Sequence, residues 1–208
     1  MQPCTASEVP LTLPSPPFGG EDKGEGVCRT VILRSITYAN VNRRRDAEQR
    51  RMKIGVLSDT HLKEPNSEFK RMVELHFNDV DRILHSGDFV DWSVAEYLST
   101  QKELIAVSGN MDPIDIQKAF PRKRIVELLG IRIGLVHGGG PPFGIESRVF
   151  KEFDEVDAVV YGHTHIPANH RARDVLFFNP GSPTRSYLHP TLGILHIGET
   201  IEGEIIKI

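Results

Sequence analysis

The chain has 208 residues, a net charge of −3, 39% hydrophobic and 25% charged residues, the make-up of a globular protein with one full-sized domain. No apolar run approaches the ~20 residues of a membrane span, and Pro10, Pro14, Pro16 and Pro17 break the only stretch that could serve as a signal-peptide core. The two cysteines, Cys4 and Cys28, both lie near the N-terminus, so the rest of the chain needs no disulfide, which fits a reducing cytoplasm.

Residues 1–51 differ from the rest of the chain. Leu11 to Gly26 is rich in Pro and Gly and has no helical or strand period. A short apolar run, Val31–Ile36, and an arginine cluster, Arg43, Arg44, Arg45, Arg50 and Arg51, complete the segment. It reads as a disordered tail or as an extension ahead of a true start at Met52, with a basic anchor for anionic partners as the lesser reading. The expected domain is therefore 52–208. The leader holds 8 of the 25 Lys/Arg and 6 of the 28 Asp/Glu, which leaves 17 basic and 22 acidic residues for the domain. An acidic domain is a poor nucleic-acid binder, and no nucleic-acid partner is expected.

From Met52 strands and helices alternate. Met52–Leu57 is a compact apolar strand, and Ser67–Asn78 a helix with Phe69, Met72 and Val73 on one face. Arg82–His85 and Leu104–Val107 read as strands on either side of a short helix, Val94–Ser99. Arg124–Leu128 and Ile131–Val136 form a hairpin around Gly130, and Ile145–Phe153 is helical. Ala158–Tyr161, Val175–Phe178, Leu192–Ile197 and Glu204–Ile208 complete the chain as strands. An α/β half followed by a β-rich half predicts stacked sheets flanked by helices. The terminal run Ile205–Ile208 more naturally completes a sheet than pairs across a homo-oligomer.

In α/β folds ligands bind beyond the carboxyl ends of strands, and there this sequence repeatedly places polar groups. Asp59 and His61 follow the first strand, Asp88 the second, and Asn110 and Asp112 the third. His137 follows the Ile131–Val136 strand, and His163 and His165 follow Ala158–Tyr161. Asp59 and His61 stand two residues apart, a spacing that in an extended segment aims both side chains the same way. Glycines precede Asp88, Asn110 and His163 and allow close backbone approach. Oxygen and imidazole ligands without thiolate suit Mn, Fe, Zn, Co or Ni. Without Asp112, the seven ligands Asp59, His61, Asp88, Asn110, His137, His163 and His165 are too many for one ordinary zinc ion and about right for two ions sharing a carboxylate.

In this order, Asp-x-His, Gly-Asp, Gly-Asn, His and Gly-His-x-His resemble the motifs of the calcineurin-like metallophosphoesterase superfamily. With Asn179-Pro180-Gly181-Ser182, the chain resembles its small bacterial and archaeal phosphodiesterase branch, to which the metallophosphoesterase-like retromer subunit is related. The resemblance covers 52–208 and implies a four-layer α/β/β/α sandwich. It also implies Asp59, His61, Asp88 and His165 on one divalent metal and Asp88, Asn110, His137 and His163 on the other, manganese first and iron, zinc or nickel otherwise. The implied function is a metal-dependent phosphodiesterase acting on a small phosphate ester through a dinuclear site and a metal-bound hydroxide. The alternative is a protein-binding scaffold of the same fold.

Two positions depart from the pattern. Met111 stands where many relatives have a histidine that assists the leaving group, and Gly139 replaces a second one. Asp88, Asn110 and Asp112 are the expected catalytic residues, Asp112 as a candidate acid. His85 reads as a residue orienting Asp88 or a water, or as a plain strand-end histidine. Arg148 and Arg185 are within possible reach of a substrate, but read first as surface ion-pairing residues. His137-Gly138-Gly139-Gly140 looks like an esterase oxyanion loop, but no Gly-x-Ser-x-Gly elbow accompanies it.

Overall fold

The computed structural model describes residues 51–185 and 189–208; the expectations for residues 1–50 lie outside them. The strands are β1 Met52–Leu57, β2 Arg82–His85, β3 Glu103–Ala106, β4 Lys123–Leu128, β5 Ile131–Val136, β6 Ala158–Val160, β7 Ala168–Ala172, β8 Val175–Asn179, β9 Thr191–Ile197 and β10 Ile201–Lys207. The helices are α1 Ser67–Phe77, α2 Trp92–Gln101, α3 Ile114–Ala119 and α4 Ile145–Phe150. Asn66 and Asp91 cap α1 and α2 by accepting from the N–H groups of Phe69 and Ser93.

Two mixed five-stranded sheets result, ordered β10-β9-β1-β2-β3 and β4-β5-β6-β8-β7. In the first, parallel β1, β2 and β3 form one side and antiparallel β9 and β10 the other; in the second, parallel β5, β6 and β8 are flanked by antiparallel β4 and β7. Strand alternation sorts the core into layers. Ile54, Val56, Ile133, Leu135, Ala158, Val160, Leu176 and Phe178 belong to the cluster between the sheets. Leu57 and Ile83 pack instead with Phe69, Val73 and Leu98 of α1 and α2, and Val159 and Phe177 pack with Ile145 and Val149 of α4. This is the expected α/β/β/α sandwich.

Two elements escaped the sequence reading. β7 is an edge strand of sequence ANHRA with mostly exposed side chains, so it carries no apolar alternation. α3 is only six residues long and buries Ile116 alone. Among the described residues no helix is long and apolar enough to cross a membrane.

Phe178 locks the two sheets together. Its fully buried ring from β8 lies against Gly193 of β9 and Gly203 of β10, and a Cβ at either glycine would come within 2.5 Å of it. Gly193→Ala should therefore destabilise the domain by about 1–3 kcal/mol, the usual range for overpacking. Gly139→Ala, whose new Cβ meets nothing within 4 Å, should leave the urea midpoint close to wild type.

Candidate metal centre

The polar residues that end β1, β2, β3, β5 and β6 meet at one edge of the sandwich. The local backbone that brings them together is not extended. Asp59, His61, Asp88, His163 and His165 all have positive φ, between 45° and 70°. The expected i, i+2 alignment of an extended segment is thus replaced by left-handed turns, which aim neighbouring ligand side chains inward at a cost in backbone strain. Such strain persists where the surroundings over-determine it, and here close packing does so. A Cβ on Gly109 would collide with the Asp88 carboxylate, and one on Gly162 with the Ser58 hydroxyl.

Each central carboxylate has one oxygen tied and one presented. Asp59 Oδ2 accepts from Ser58 Oγ at 2.6 Å and from the His163 N–H at 2.9 Å, while the buried Oδ1 has no hydrogen-bond partner. Asp88 Oδ1 accepts from the Met111 N–H at 2.8 Å, and Oδ2 faces the His137 and His61 rings at 3.3 and 3.7 Å.

The histidines are oriented in the same manner. Backbone carbonyls hold one nitrogen of three of the four rings: Ser86 O holds His137 Nδ1 at 2.8 Å, Arg185 O holds His165 Nδ1 at 2.9 Å, and Gly140 O holds His163 Nε2 at 3.0 Å. A nitrogen facing a carbonyl must carry the proton, so the other nitrogen of each ring offers a lone pair. Those lone pairs converge. His165 Nε2 lies 3.1 Å from His61 Nε2 and 3.3 Å from Asp59 Oδ1, and His163 Nδ1 lies 3.0 Å from Asn110 Oδ1. The buried His137 Nε2 has no hydrogen-bond partner.

Two groups could hold a metal: Asp59, His61 and His165, and Asp59, Asp88 and His137. Asn110 and His163 stand beside the second, with the His163 ring 5.3 Å from that of His137. The electrostatics fit cations. Asp59 and Asp88 are buried, and their only ionic neighbours among the described residues are histidines. Burial opposes charging His137, yet Asp88 and Asp59 outweigh it and raise the ring's proton affinity; the Asp59 carboxylate does the same to His165. Burial wins at His61 and lowers it. Buried carboxylates without a permanent positive partner, two orphaned buried atoms and imidazoles with fixed tautomers make a donor set suited to divalent ions.

Asp112 takes another place than that of an acid. Its Oδ2 accepts from the Asp88 and Gly109 N–H groups at 3.0 and 2.7 Å, and its Oδ1 from Val90 at 2.9 Å. Both oxygens are spent on splicing the Asp88 loop to the Asn110 loop. Arg148 likewise makes no ion pair among the described residues; its guanidinium donates to Gly139, Pro141 and Phe143 carbonyls. The segment after β8 contributes residues the sequence reading left without a role. Ser182 Oγ donates to Asp59 O at 2.8 Å and Thr184 Oγ1 to Thr60 O at 2.6 Å, clamping the first ligand loop. Their only signal was the one used for the ligands, polar residues directly after an apolar strand.

With the geometry in place, the comparisons define the class. The sequence model of the calcineurin-like phosphoesterase superfamily domain matches residues 52–200, and the chain belongs to that family. A probable metallophosphoesterase of Methanothermobacter thermautotrophicus is 38% identical over 160 residues, 75% of this chain and 92% of that protein. A phosphodiesterase of Methanocaldococcus jannaschii is 32% identical over 174 residues, covering 74% of this chain and 99% of its own length. Among solved structures, an archaeal phosphodiesterase superposes with a TM-score of 0.60 at 29% identity, over 76% of this chain and all 100% of the other. Vacuolar protein sorting 29 from Cryptosporidium parvum shares the fold, with a TM-score of 0.60 at 19% identity over 76% of this chain and 98% of its own.

His85 supports the centre from behind. It is fully buried and stacked on Phe89 at 3.5 Å; its Nδ1 accepts from the Gly87 N–H, and Nε2 faces Thr60 Oγ1 at 3.3 Å. Burial, reinforced by His137, holds its proton affinity well below the ordinary value of 6.5. As pH falls, the unfolded chain takes up this proton before the folded one does. The stability contributed by neutral His85 is thus complete above pH 6.5 and is lost progressively below it. His85→Phe, which has no such proton to bind, should show a shallower loss of stability between pH 6.5 and 5 than wild type. Equal slopes in urea titrations across that window would refute the assignment.

Proposed function

We propose that residues 52–208 form a phosphodiesterase that works with two divalent cations, manganese first, in the cytoplasm. Asp59, His61, Asp88 and His165 would hold one ion and Asp88, Asn110, His137 and His163 the other. The observation that carries this reading is the convergence of Asp59 Oδ1 and Asp88 Oδ2 with imidazole lone pairs in a buried place where, among the described residues, no Lys or Arg pairs with either carboxylate. Asp88 Oδ2 faces both His61 and His137, which supports its role as the shared ligand. The phosphodiesterase-named relatives support the substrate class.

Two divalent ions, when bound, supply the charge that clamps a phosphate and readies water as its nucleophile. The chain's own residues prepare that chemistry. Ser58, Met111 and the His163 N–H fix the rotamers of the two aspartates, and three carbonyls fix the imidazole tautomers. Asp112 holds the Asp88 and Asn110 loops in register. Met111, 57% exposed beside Asn110, gives no proton to a departing alkoxide.

A second reading, a protein-binding scaffold, draws on three exposed apolar side chains in the ligand-bearing and neighbouring loops: Met111, Phe143 and Ile166, 57%, 93% and 52% exposed. Metal-stripped protein should be inert toward an aryl phosphodiester and gain activity with Mn²⁺. Asp88→Asn should lose more than the roughly 10–100-fold that replacing a residue behind a metal ligand costs. A folded protein that binds Mn²⁺ yet hydrolyses neither diester nor monoester would transfer the assignment to the scaffold. Without an acid at Met111, alkyl diesters should react slower than aryl diesters by about 10²–10⁴-fold, the usual worth of general acid catalysis. Equal rates would locate a proton donor elsewhere.

A further inference from the structure

A larger cleft, about 860 Å³, lies where Met52, Asp81, His196 and Gly198 meet and contains no residue of the metal centre. A second cleft, about 440 Å³, opens directly from that centre. It shares Asn110 and His137 with it and is otherwise lined in part by Arg122, Lys123, Arg148 and Glu152. Its volume is that of a small-molecule site.

The placement of these cations follows from the sheet. Lys123 pairs with Val136 at the end of β5, one residue before His137. The Pro121 carbonyl accepts from the Ser108 N–H at 3.0 Å, which fixes Arg122 beside the loop that carries Asn110. Among the described residues outside the cleft, Lys53 faces Asp79, Arg82 faces Glu103 and Arg132 faces Glu155, while the other lysines and arginines make no ion pair. In the cleft, Lys123 is matched by Glu152 at 2.8 Å, but the two arginines are not matched. Arg148 spends three of its five N–H donors on neutral carbonyls and keeps its full charge. Arg122 takes part in none of the ion pairs among the described residues. A domain with 22 acidic and 17 basic residues thus gathers two uncompensated guanidiniums beside its metal centre.

We infer that this cleft binds a second anionic group of the substrate, a terminal phosphate monoester carried by the phosphodiester being cleaved. Two guanidiniums match the charge of about −1.5 to −2 on such a group at neutral pH, and their planar forks suit phosphate oxygens. The inference rests on the hydrolase reading, since the reacting phosphate occupies the Asp88 and Asn110 end of the same opening. Arg148 also braces the loop whose Gly140 carbonyl orients His163, so Arg122 is the cleaner probe.

The test compares two aryl esters of a nucleoside 5′-phosphate, identical except that one carries a 3′-phosphate. Arg122→Gln should raise KM for the 3′-phosphorylated ester by about 10-fold or more, as expected for loss of a charge-assisted contact. Its kcat and its kcat/KM on the other ester should stay within about 2-fold of wild type. A second measurement needs no turnover: phenyl phosphate titrated into metal-free protein should bind, and Arg122→Gln should weaken it by a similar factor. Equal effects on both esters, or no phenyl phosphate binding by metal-free protein, would overturn the inference. Should wild type hydrolyse neither ester with any divalent ion, the hydrolase reading fails, and the titration alone then decides the anion cleft.

Discussion

Two buried carboxylates that pair with no lysine or arginine among the described residues set the terms for the rest of this molecule. Asp59 and Asp88 lie side by side at the edge of the sandwich, and their ionic neighbours among the described residues are histidine rings. Burying an ionised carboxylate is expensive unless it is paired or coordinated. The surrounding loops are organised to hold that charge in place, with one oxygen of each aspartate committed to hydrogen-bond donors and the other kept bare. Donors on the tied oxygens also restrict each carboxylate to one rotamer, so the presented atoms point to common centres.

That arrangement requires strained backbone, and the sheets make it tolerable. Left-handed φ at Asp59, His61, Asp88, His163 and His165 would cost several kcal/mol in an isolated loop, at about 1–3 kcal/mol per residue. Here each strained turn follows directly from a buried strand. Backbone bonds from Asp59 N to Gly87 O and from His61 N to Asp88 O lace the first ligand loop to the second. Asp112 joins the second to the third, and Ser182 and Thr184 press the segment after β8 onto the first. The centre is therefore a single hydrogen-bonded knot, and replacing a residue such as Asp112 would move ligands it does not touch.

The candidate ligands were readable as strand-end residues because each shows two cheap local signals, an apolar strand and a polar residue at its carboxyl end. Asp88 after Arg82–His85 and His137 after Ile131–Val136 have both. The sandwich was legible for the same reason, since strand alternation and one-sided helices carry it. What was not legible depends on contacts distant in sequence. Asp112 reads as a candidate acid beside Asn110, yet its carboxylate is consumed by N–H groups at positions 88, 90 and 109. Arg148 reads as a surface cation, yet three carbonyls of a glycine-rich loop turn it into a brace. β7 and α3 escaped because one is polar throughout and the other too short to show a period.

Charge distribution links the fold to its chemistry. A net-negative domain repels phosphate at long range, so any phosphate it binds must be drawn by local charge. The metal ligands provide places for that charge at the bottom of the opening, where Asp59, Asp88 and His137 are buried. The exposed Asn110 marks the transition to the cleft, where Arg122 and Arg148 take over. Positive charge thus continues outward from the metal centre along the cleft between the loops that follow β3 and β5. Charge along that path favours small anions that enter end-on, and the domain's net negative charge disfavours an extended polyanion such as nucleic acid. Selectivity for a compact ester then comes from where the acidic chain permits cations, as well as from the centre that would cleave it.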